Sequence, residues 1–230
     1  MMAMRQKPTT VAAAGAVLGL TLALTGCGAA FGLNERAEQS YDVTDKVTTL
    51  EIGTGSGEVV IAGSDRSGVH VKESLRWSGD RPADGHRVDG DTLKLEYDCN
   101  TCSIDYRVDI PRGLAVHVET GSGSITLRDL AGRVTASTGS GDIDTRGLAG
   151  AEVSADTGSG EVRLRFAEAP RQVSVETGSG DAEVRVPDGT YRVTAETGSG
   201  ERSVEVAHDR AASRTIVVKA GSGDVAVRRQ

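Results

Sequence analysis

The chain has 230 residues, 37% of them hydrophobic and 26% charged, with 30 glycines and seven aromatic residues. That length suits one large β domain or two small ones, and the balance excludes a collagen, a disordered tail and a polytopic membrane protein. The formal net charge of −7 argues against binding nucleic acid through a general positive field.

The chain opens with the three parts of an export signal: Arg5 and Lys7, the apolar run 11–24, and Leu24-Thr25-Gly26-Cys27. Fourteen apolar residues are too few for a bilayer that asks for about 20. Leu-Thr-Gly-Cys resembles the bacterial lipobox, in which the cysteine sulfur is acylated and the chain is cut just before it. The alternative is an ordinary secretory site with a chance cysteine; the leucine, the two small residues and the placement of the apolar run favour the lipobox. Residues 1–26 are thus expected to be a lipoprotein signal peptide. Cys27 is the expected lipidation site, holding the protein on the extracytoplasmic face of the bacterial cell membrane, stably if two or more acyl chains are attached. Removing residues 1–26 leaves 24 basic against 33 acidic residues, a net charge of −9. Residues 27–42 read as a polar tether and 43–230 as one β domain.

The domain starts with the alternating strand Val47-Thr48-Thr49-Leu50-Glu51-Ile52 and a first Gly-Ser-Gly triplet at Gly55. The next triplet begins only at Gly121, after 63 intervening residues. Within that stretch, 58–110 is expected to cap the N-terminal end of the domain, because terminal repeats need caps. It contains Asp98-Cys99-Asn100-Thr101-Cys102, between the alternating runs Leu93, Leu95, Tyr97 and Ile104, Tyr106, Val108, Ile110. In an exported protein Cys99 and Cys102 read as a disulfide across a hairpin turn. Zinc would need two further ligands, and a redox pair would want a following helix where strand-like residues stand instead.

From Gly121 onward the triplet recurs at Gly139, Gly158, Gly178, Gly198 and Gly221, at intervals of 18, 19, 20, 20 and 23 residues. A spacing near 20 means a stacked architecture. Each unit has two runs of period-two alternation, as in Asp181–Val186 and Tyr191–Glu196, which mark strands with one buried face. An antiparallel meander gives equivalent corners no reason to match; a parallel β-solenoid of two-strand coils places them in one ladder about 4.7–4.9 Å apart. The solenoid is the expected fold. Inward residues such as Ile125, Ile143, Val162, Val184 and Val225 would face Val116, Val134, Val153, Val173 and Ile216 across a thin core without room for a cofactor. Arg202 breaks this pattern in the sixth copy: either it points inward and meets an acid such as Glu205 or Asp209, or, as the long 23-residue interval after Gly198 favours, the coil is irregular with a bulge that turns it outward.

Together, the lipobox, the strand at 47–52, the cysteine hairpin followed by Ser-Ile-Asp-Tyr-Arg-Val-Asp-Ile-Pro at 103–111, and the repeated Glu-Thr-Gly-Ser-Gly-Asp corners resemble the bacterial "putative adhesin" family of β-strand-repeat proteins. The resemblance covers about residues 43–230. It implies a β-solenoid on the cell surface with no established activity.

Motifs for chemistry are scarce. No phosphate-binding glycine loop opens a helix and no nucleophile elbow occurs, so catalytic, metal and cofactor sites are all expected to be none. Seven copies of one serine, Ser56 to Ser222, point to structural use. Threonines Thr54, Thr120, Thr138, Thr157, Thr177 and Thr197 suit hydroxyl ladders beside the corners. Carboxylates flank the corners at Glu58, Asp142, Glu161, Asp181, Glu201 and Asp224, and at Glu119, Asp156, Glu176 and Glu196, as a solvated edge rather than a calcium site. A stripe of Arg128, Arg146, Arg165, Arg185 and Arg228 is expected to pair with neighbours such as Asp144 and Glu183. The expected function is a non-enzymatic envelope lipoprotein with an adhesive or assembly role, its partner a cell-wall polymer or envelope protein. The alternative is a carbohydrate-active or wall-polymer-binding β-helix, opposed by the shortage of aromatics for sugar stacking.

Overall fold

In every triplet the third glycine takes a positive φ, from 125° at Gly223 to 155° at Gly123, where a side chain would be strained. From the second triplet on it also lies on the backbone of the neighbouring triplet, while Gly57 of the first lies on the Ile104 carbonyl. A Cβ on Gly123 would stand 1.9 Å from the Gly57 carbonyl oxygen, and one on Gly160 2.0 Å from that of Gly141. The triplet corners therefore stack glycine on glycine, and the strands leaving them stack in the same order.

The structure, a computed structural model, describes residues 35–99 and 101–230; the expected signal peptide and Cys27 lie outside them. Twenty strands and no helix form among the described residues. β1 (Glu35–Val43) precedes the first coil, β2 (Thr49–Ser56) and β3 (Val59–Ser64). The long insert supplies β4 (Val69–Trp77), β5 (His86–Asp89), β6 (Thr92–Glu96) and β7 (Cys102–Pro111). Coils two to five are β8 (Ala115–Ser122) with β9 (Ile125–Arg128), β10 (Val134–Ser140) with β11 (Ile143–Arg146), β12 (Glu152–Ser159) with β13 (Val162–Arg165), and β14 (Gln172–Ser179) with β15 (Ala182–Val186). The sixth is β16 (Thr190–Ser199) and β17 (Arg202–Val204), followed by the short β18 (Ala207–His208); the seventh is β19 (Thr215–Ser222) and β20 (Val225–Arg229).

These strands make two ten-stranded mixed sheets, β1-β4-β7-β3-β9-β11-β13-β15-β20-β17 and β18-β16-β19-β14-β12-β10-β8-β2-β6-β5. Repeat strands pair in parallel with equivalent residues opposite each other, Val116 to Val134 to Val153 to Val173 in one sheet and Ile125 to Ile143 to Val162 to Ala182 in the other. Their small apolar side chains are buried between the sheets, as are Ile216, Val218, Val225 and Val227 of the seventh coil, so the expected inward pattern is found in every coil but the sixth. Burial of this size drives folding at roughly 25 cal/mol per Å² of apolar surface.

An all-parallel stack does not describe the N-terminal end. β7 pairs with β3 in parallel but with β4 antiparallel, β4 pairs with β1 antiparallel, and β5 with β6 antiparallel. Residues 35–42, expected as tether, are an edge strand, because Ala37 and Tyr41 pack against the core. β3 belongs to the first coil rather than to the cap. The cysteine segment is not a hairpin turn either: β6 lies in one sheet and β7 in the other, so it is a corner between sheets.

The repeats do not stack in chain order. β19 pairs with both β14 and β16, and β20 with both β15 and β17, so the seventh coil is inserted between the fifth and the sixth. The sixth coil, not the last, closes the stack. Arg202 supplies a physical reason. Its slot is the row of Ile125, Ile143, Val162, Ala182 and Val225, and a guanidinium buried there would be costly. At the end of the stack that slot opens to solvent: Arg202 is exposed, as is Val204 at 40%. No bulge is needed, since β17 keeps register with β20 at all three residues. The insertion also sets Lys219 opposite both Glu176 and Glu196, where chain order would have placed the two glutamates side by side.

Arg202→Val should therefore change stability by less than about 1 kcal/mol, as surface substitutions do. Ala182→Arg, the same slot inside the stack, should cost several kcal/mol. Urea denaturation of the two variants beside the wild type checks both.

Candidate functional site

Four of the six threonines beside the corners bind the backbone of the neighbouring coil, while Thr54 donates to the Ser56 carbonyl of its own corner and the buried Thr120 hydroxyl is unpaired. Thr138 Oγ1 donates to the Gly123 carbonyl at 3.1 Å, Thr157 to Gly141 at 3.0 Å, Thr177 to Gly160 at 3.2 Å and Thr197 to Gly223 at 2.8 Å. The aspartates after the triplet accept backbone N–H groups: Asp142 from Glu161, Asp181 from Asp224 and Asp224 from Glu201, each at 2.8 Å. Asp105 of β7 does the same for Glu58 at 2.9 Å. These carboxylates satisfy N–H groups that the corners would otherwise leave without partners. Burial raises the pKa of Glu161, reinforced by Asp181 and Asp142 and opposed by Arg163; burial and then Glu176 raise that of Asp156. Among the described residues no group of three or more His, Cys, Asp or Glu stands close enough to hold a metal ion.

The arginine stripe divides in two. β11 pairs with β13 at Ile143–Val162 and Asp144–Arg163, yet the next bridge is Leu148–Phe166, so β11 carries one extra residue between them. Gly147, with φ of 70°, absorbs this bulge. Beyond it the arginines lie half-buried against acids: Arg165 on Asp144 at 2.9 Å, Arg185 on Glu183 at 2.9 Å, and Arg228 on Glu183 at 3.2 Å and on Glu205 at 3.3 Å. Burial works against ionisation of Glu183, but the Arg185 hydrogen bond and the charges of Arg185, Arg228 and Arg165 hold its pKa below the usual value. Before the bulge, Arg128 and Arg146 stand opposite each other on β9 and β11 and are exposed.

One cluster escaped the sequence reading. Glu73 of β4 is fully buried, its carboxylate accepting the Tyr41 hydroxyl at 2.5 Å and the Tyr97 hydroxyl at 2.6 Å. Tyr106 lies beside it with its hydroxyl unpaired, and Asp84 hydrogen-bonds His86, whose ring lies 4.5 Å from that of Tyr41. Burial raises the pKa of Glu73 against the two tyrosine hydrogen bonds, with Asp84 adding to the rise; burial and then Glu73 push the tyrosines up. The available signal was periodicity, because Glu73 stands in the inward register of Val69, Val71, Leu75 and Trp77. The cluster ties β1 and the end of β6 to β4, so its role is to hold the cap together.

Cys99 and Cys102 are paired in a disulfide with Cα atoms 5.9 Å apart, bracing the corner where the chain passes from β6 to β7. Ser56 Oγ donates to the Cys102 carbonyl, which joins that corner to the first triplet.

A family profile described as Toastrack DUF4097 matches residues 42–228. The chain belongs to the Toastrack DUF4097 family. This Toastrack chain is also similar to solved structures of low identity. A "putative cell adhesion protein" from Clostridium sporogenes is 15% identical with a TM-score of 0.45, 85% of this chain and 100% of that one being covered. A "putative adhesin" from Bacteroides fragilis is 11% identical with a TM-score of 0.44, covering 85% and 97%. A "putative lipid binding protein" from Parabacteroides distasonis is 10% identical with a TM-score of 0.33, covering 84% and 96%. No curated protein matches the Toastrack chain.

Two outcomes follow from the cap. Glu73 binds its proton more tightly in the folded state, so the folded chain holds more protons than the unfolded one just above pH 4.5, and stability falls as pH rises through its raised pKa. Glu73→Gln should remove that slope. Urea titrations at pH 4 and pH 8 should show the wild type losing ground to the variant at pH 8; an unchanged difference would mean the carboxyl titrates normally. The double variant Cys99→Ser/Cys102→Ser should fold with a loss of about 2 kcal/mol, the loop-entropy value for so short a loop, measured by the same method.

Proposed function

We propose that the protein is a non-enzymatic envelope lipoprotein that presents a rigid β-solenoid for adhesion or assembly. Anchoring through acylated Cys27, on the extracytoplasmic face of the bacterial cell membrane, is the other half of this reading. The observation that carries it is the use of the polar rows within the fold. Corner aspartates cap backbone N–H groups, threonines bind glycine carbonyls, and three of the five stripe arginines are held by acids. The two sheets enclose a core that is mostly aliphatic in the repeats, and among the described residues their outer surface carries small hollows such as that between Glu51, Lys94 and His117. Such a molecule has a long, repeated and stiff surface as its functional asset.

The carbohydrate-active reading is weaker. The aromatic residues of the repeats, Phe166 and Tyr191, are both fully buried, which leaves the repeats no outward ring on which a sugar could stack. Wall-polymer binding through charge does not depend on such rings and remains within the proposal.

Cys27→Ser should abolish the lipid mass and release the protein, cut or uncut, from its acyl anchor, as read by mass spectrometry of membrane and soluble fractions. An unmodified Cys27 on membrane-bound wild type would overturn the anchoring.

A further inference from the structure

We infer that the outer edge of β1 pairs with itself, so that two copies of this chain form a two-fold symmetric dimer. This names a partner, a second copy, for the assembly half of the proposed function; it rests on that half and not on acylation. β1 is nine residues long and holds no glycine or proline, and among the described residues no strand pairs with its outer side. The other edge strands are short, with four residues in β5, three in β17 and two in β18. Short edges resist pairing with another chain, whereas a long regular edge is a template for it.

The hydrogen-bond phase fixes which residues of β1 are available. The Ser78 N–H donates to the Thr101 carbonyl, so even-numbered residues of β4 direct their backbone groups to β7, and odd-numbered ones to β1. The partners of those odd residues, among them Ala37, Gln39 and Tyr41, direct theirs back to β4. Arg36, Glu38, Ser40 and Asp42 therefore turn N–H and C=O to the outer edge, and an antiparallel second copy must pair these four with one another. Centred on Glu38, the register sets Glu38 on Glu38; centred on Ser40, it sets Glu38 on Asp42. Both place like charges opposite each other. Centred on Gln39, the middle of the strand, it sets Arg36 on Asp42 and Glu38 on Ser40, each twice, and uses all nine residues.

The surrounding charges fit this register. Arg36 stands beside Arg76 of β4 and has no ion pair among the described residues; Asp42 of the second copy supplies the missing acid. Asp42 binds Arg66 at 2.8 Å and His70 at 3.0 Å, yet its side chain is 60% exposed, which leaves room for a further guanidinium. Lys72 lies next to Ser40 on β4, in the row that the second copy's Glu38 would join. On the inward face Gln39 meets its own symmetry mate, and Ala37 meets Tyr41. The rest of the N-terminal end does not obstruct the pairing. Three strands lie beyond β3 in the sheet of β1 and two beyond β2 in the other, so the β5 edges stay apart when β1 meets β1.

The test uses the full chain in a Cys27→Ser background, so that every arm is read without the acyl anchor. Sedimentation should show a dimer for this parent. Ser40→Pro should weaken association at least about tenfold, because proline removes an outward N–H and leaves the β4 ladder intact. Arg36→Glu, which sets an acid on Asp42, should weaken it to a similar degree. Independently, Gln39→Cys should give a disulfide-linked dimer on oxidation, since opposite residues of a non-hydrogen-bonded pair stand about 4.5 Å apart at Cα. Arg36→Cys, about 20 Å from its symmetry mate, should not. Should Ser40→Pro unfold the chain, Arg36→Glu and the two cysteine variants decide. A parent that is monomeric at about 100 μM, a dimer indifferent to the β1 substitutions, or equal crosslinking at positions 39 and 36 would each overturn the proposal. A monomer would leave the Cys27 anchoring unaffected, and failure of the anchoring would leave the dimer standing.

Discussion

Backbone-on-backbone contact at the triplet corners is the constraint on which the rest of the molecule depends. A Cβ on any of the third glycines would stand about 2 Å from a carbonyl oxygen of the adjacent strand, so no other residue permits the coils to approach to strand spacing at that point. The contact works in both directions along the stack. It brings the Ser carbonyl of one coil to the Gly N–H of its neighbour, as in Gly123 to Ser140 and Gly141 to Ser159, and it sets the register that places threonine under glycine and aspartate beside N–H. Every row of identical residues on the surface follows from that register.

Because the corner chemistry is nearly identical in all seven copies, it does not determine which coil lies next to which. The order must come from the residues that differ, and two of these point the same way. Arg202 is tolerated only where its slot opens to solvent, and Lys219 is best placed between Glu176 and Glu196. Both are met when the seventh coil enters between the fifth and the sixth. The long connection through β18, whose two residues pair with Thr190 and Tyr191 on the far side of β16, is what allows the chain to reach back.

The two ends of the stack are treated differently. At the C-terminal end a polar coil faces water directly. At the N-terminal end, antiparallel strands from the insert extend both sheets, and an inward carboxylate is held by hydroxyls from β1 and from the chain after β6. Buried acids with hydrogen-bond donors on separate segments tie those segments together, because removing any one donor leaves a costly unpaired group. The free arginines of the second and third coils stand apart from this pattern, as surface charge that the fold does not use.

Taken alone, the sequence determined the all-β class, the two-strand repeat, the inward rows of every coil but the sixth and the pairing of arginines with Asp144 and Glu183, because these follow from spacing and period-two alternation. Glu73 was legible in principle, being a glutamate in the phase of Val71 and Leu75, but alternation says only that it points inward and not what meets it there. Three features were decided by tertiary structure. The antiparallel cap and the edge strand at 35–43 depend on which distant strand is the partner, and local pattern is silent about partners. The split in the arginine stripe depends on one extra residue in β11 relative to β13, visible only when the two are aligned in space. The order of the last two coils depends on the cost of burying Arg202, which exists only once a neighbouring coil is there to cover it.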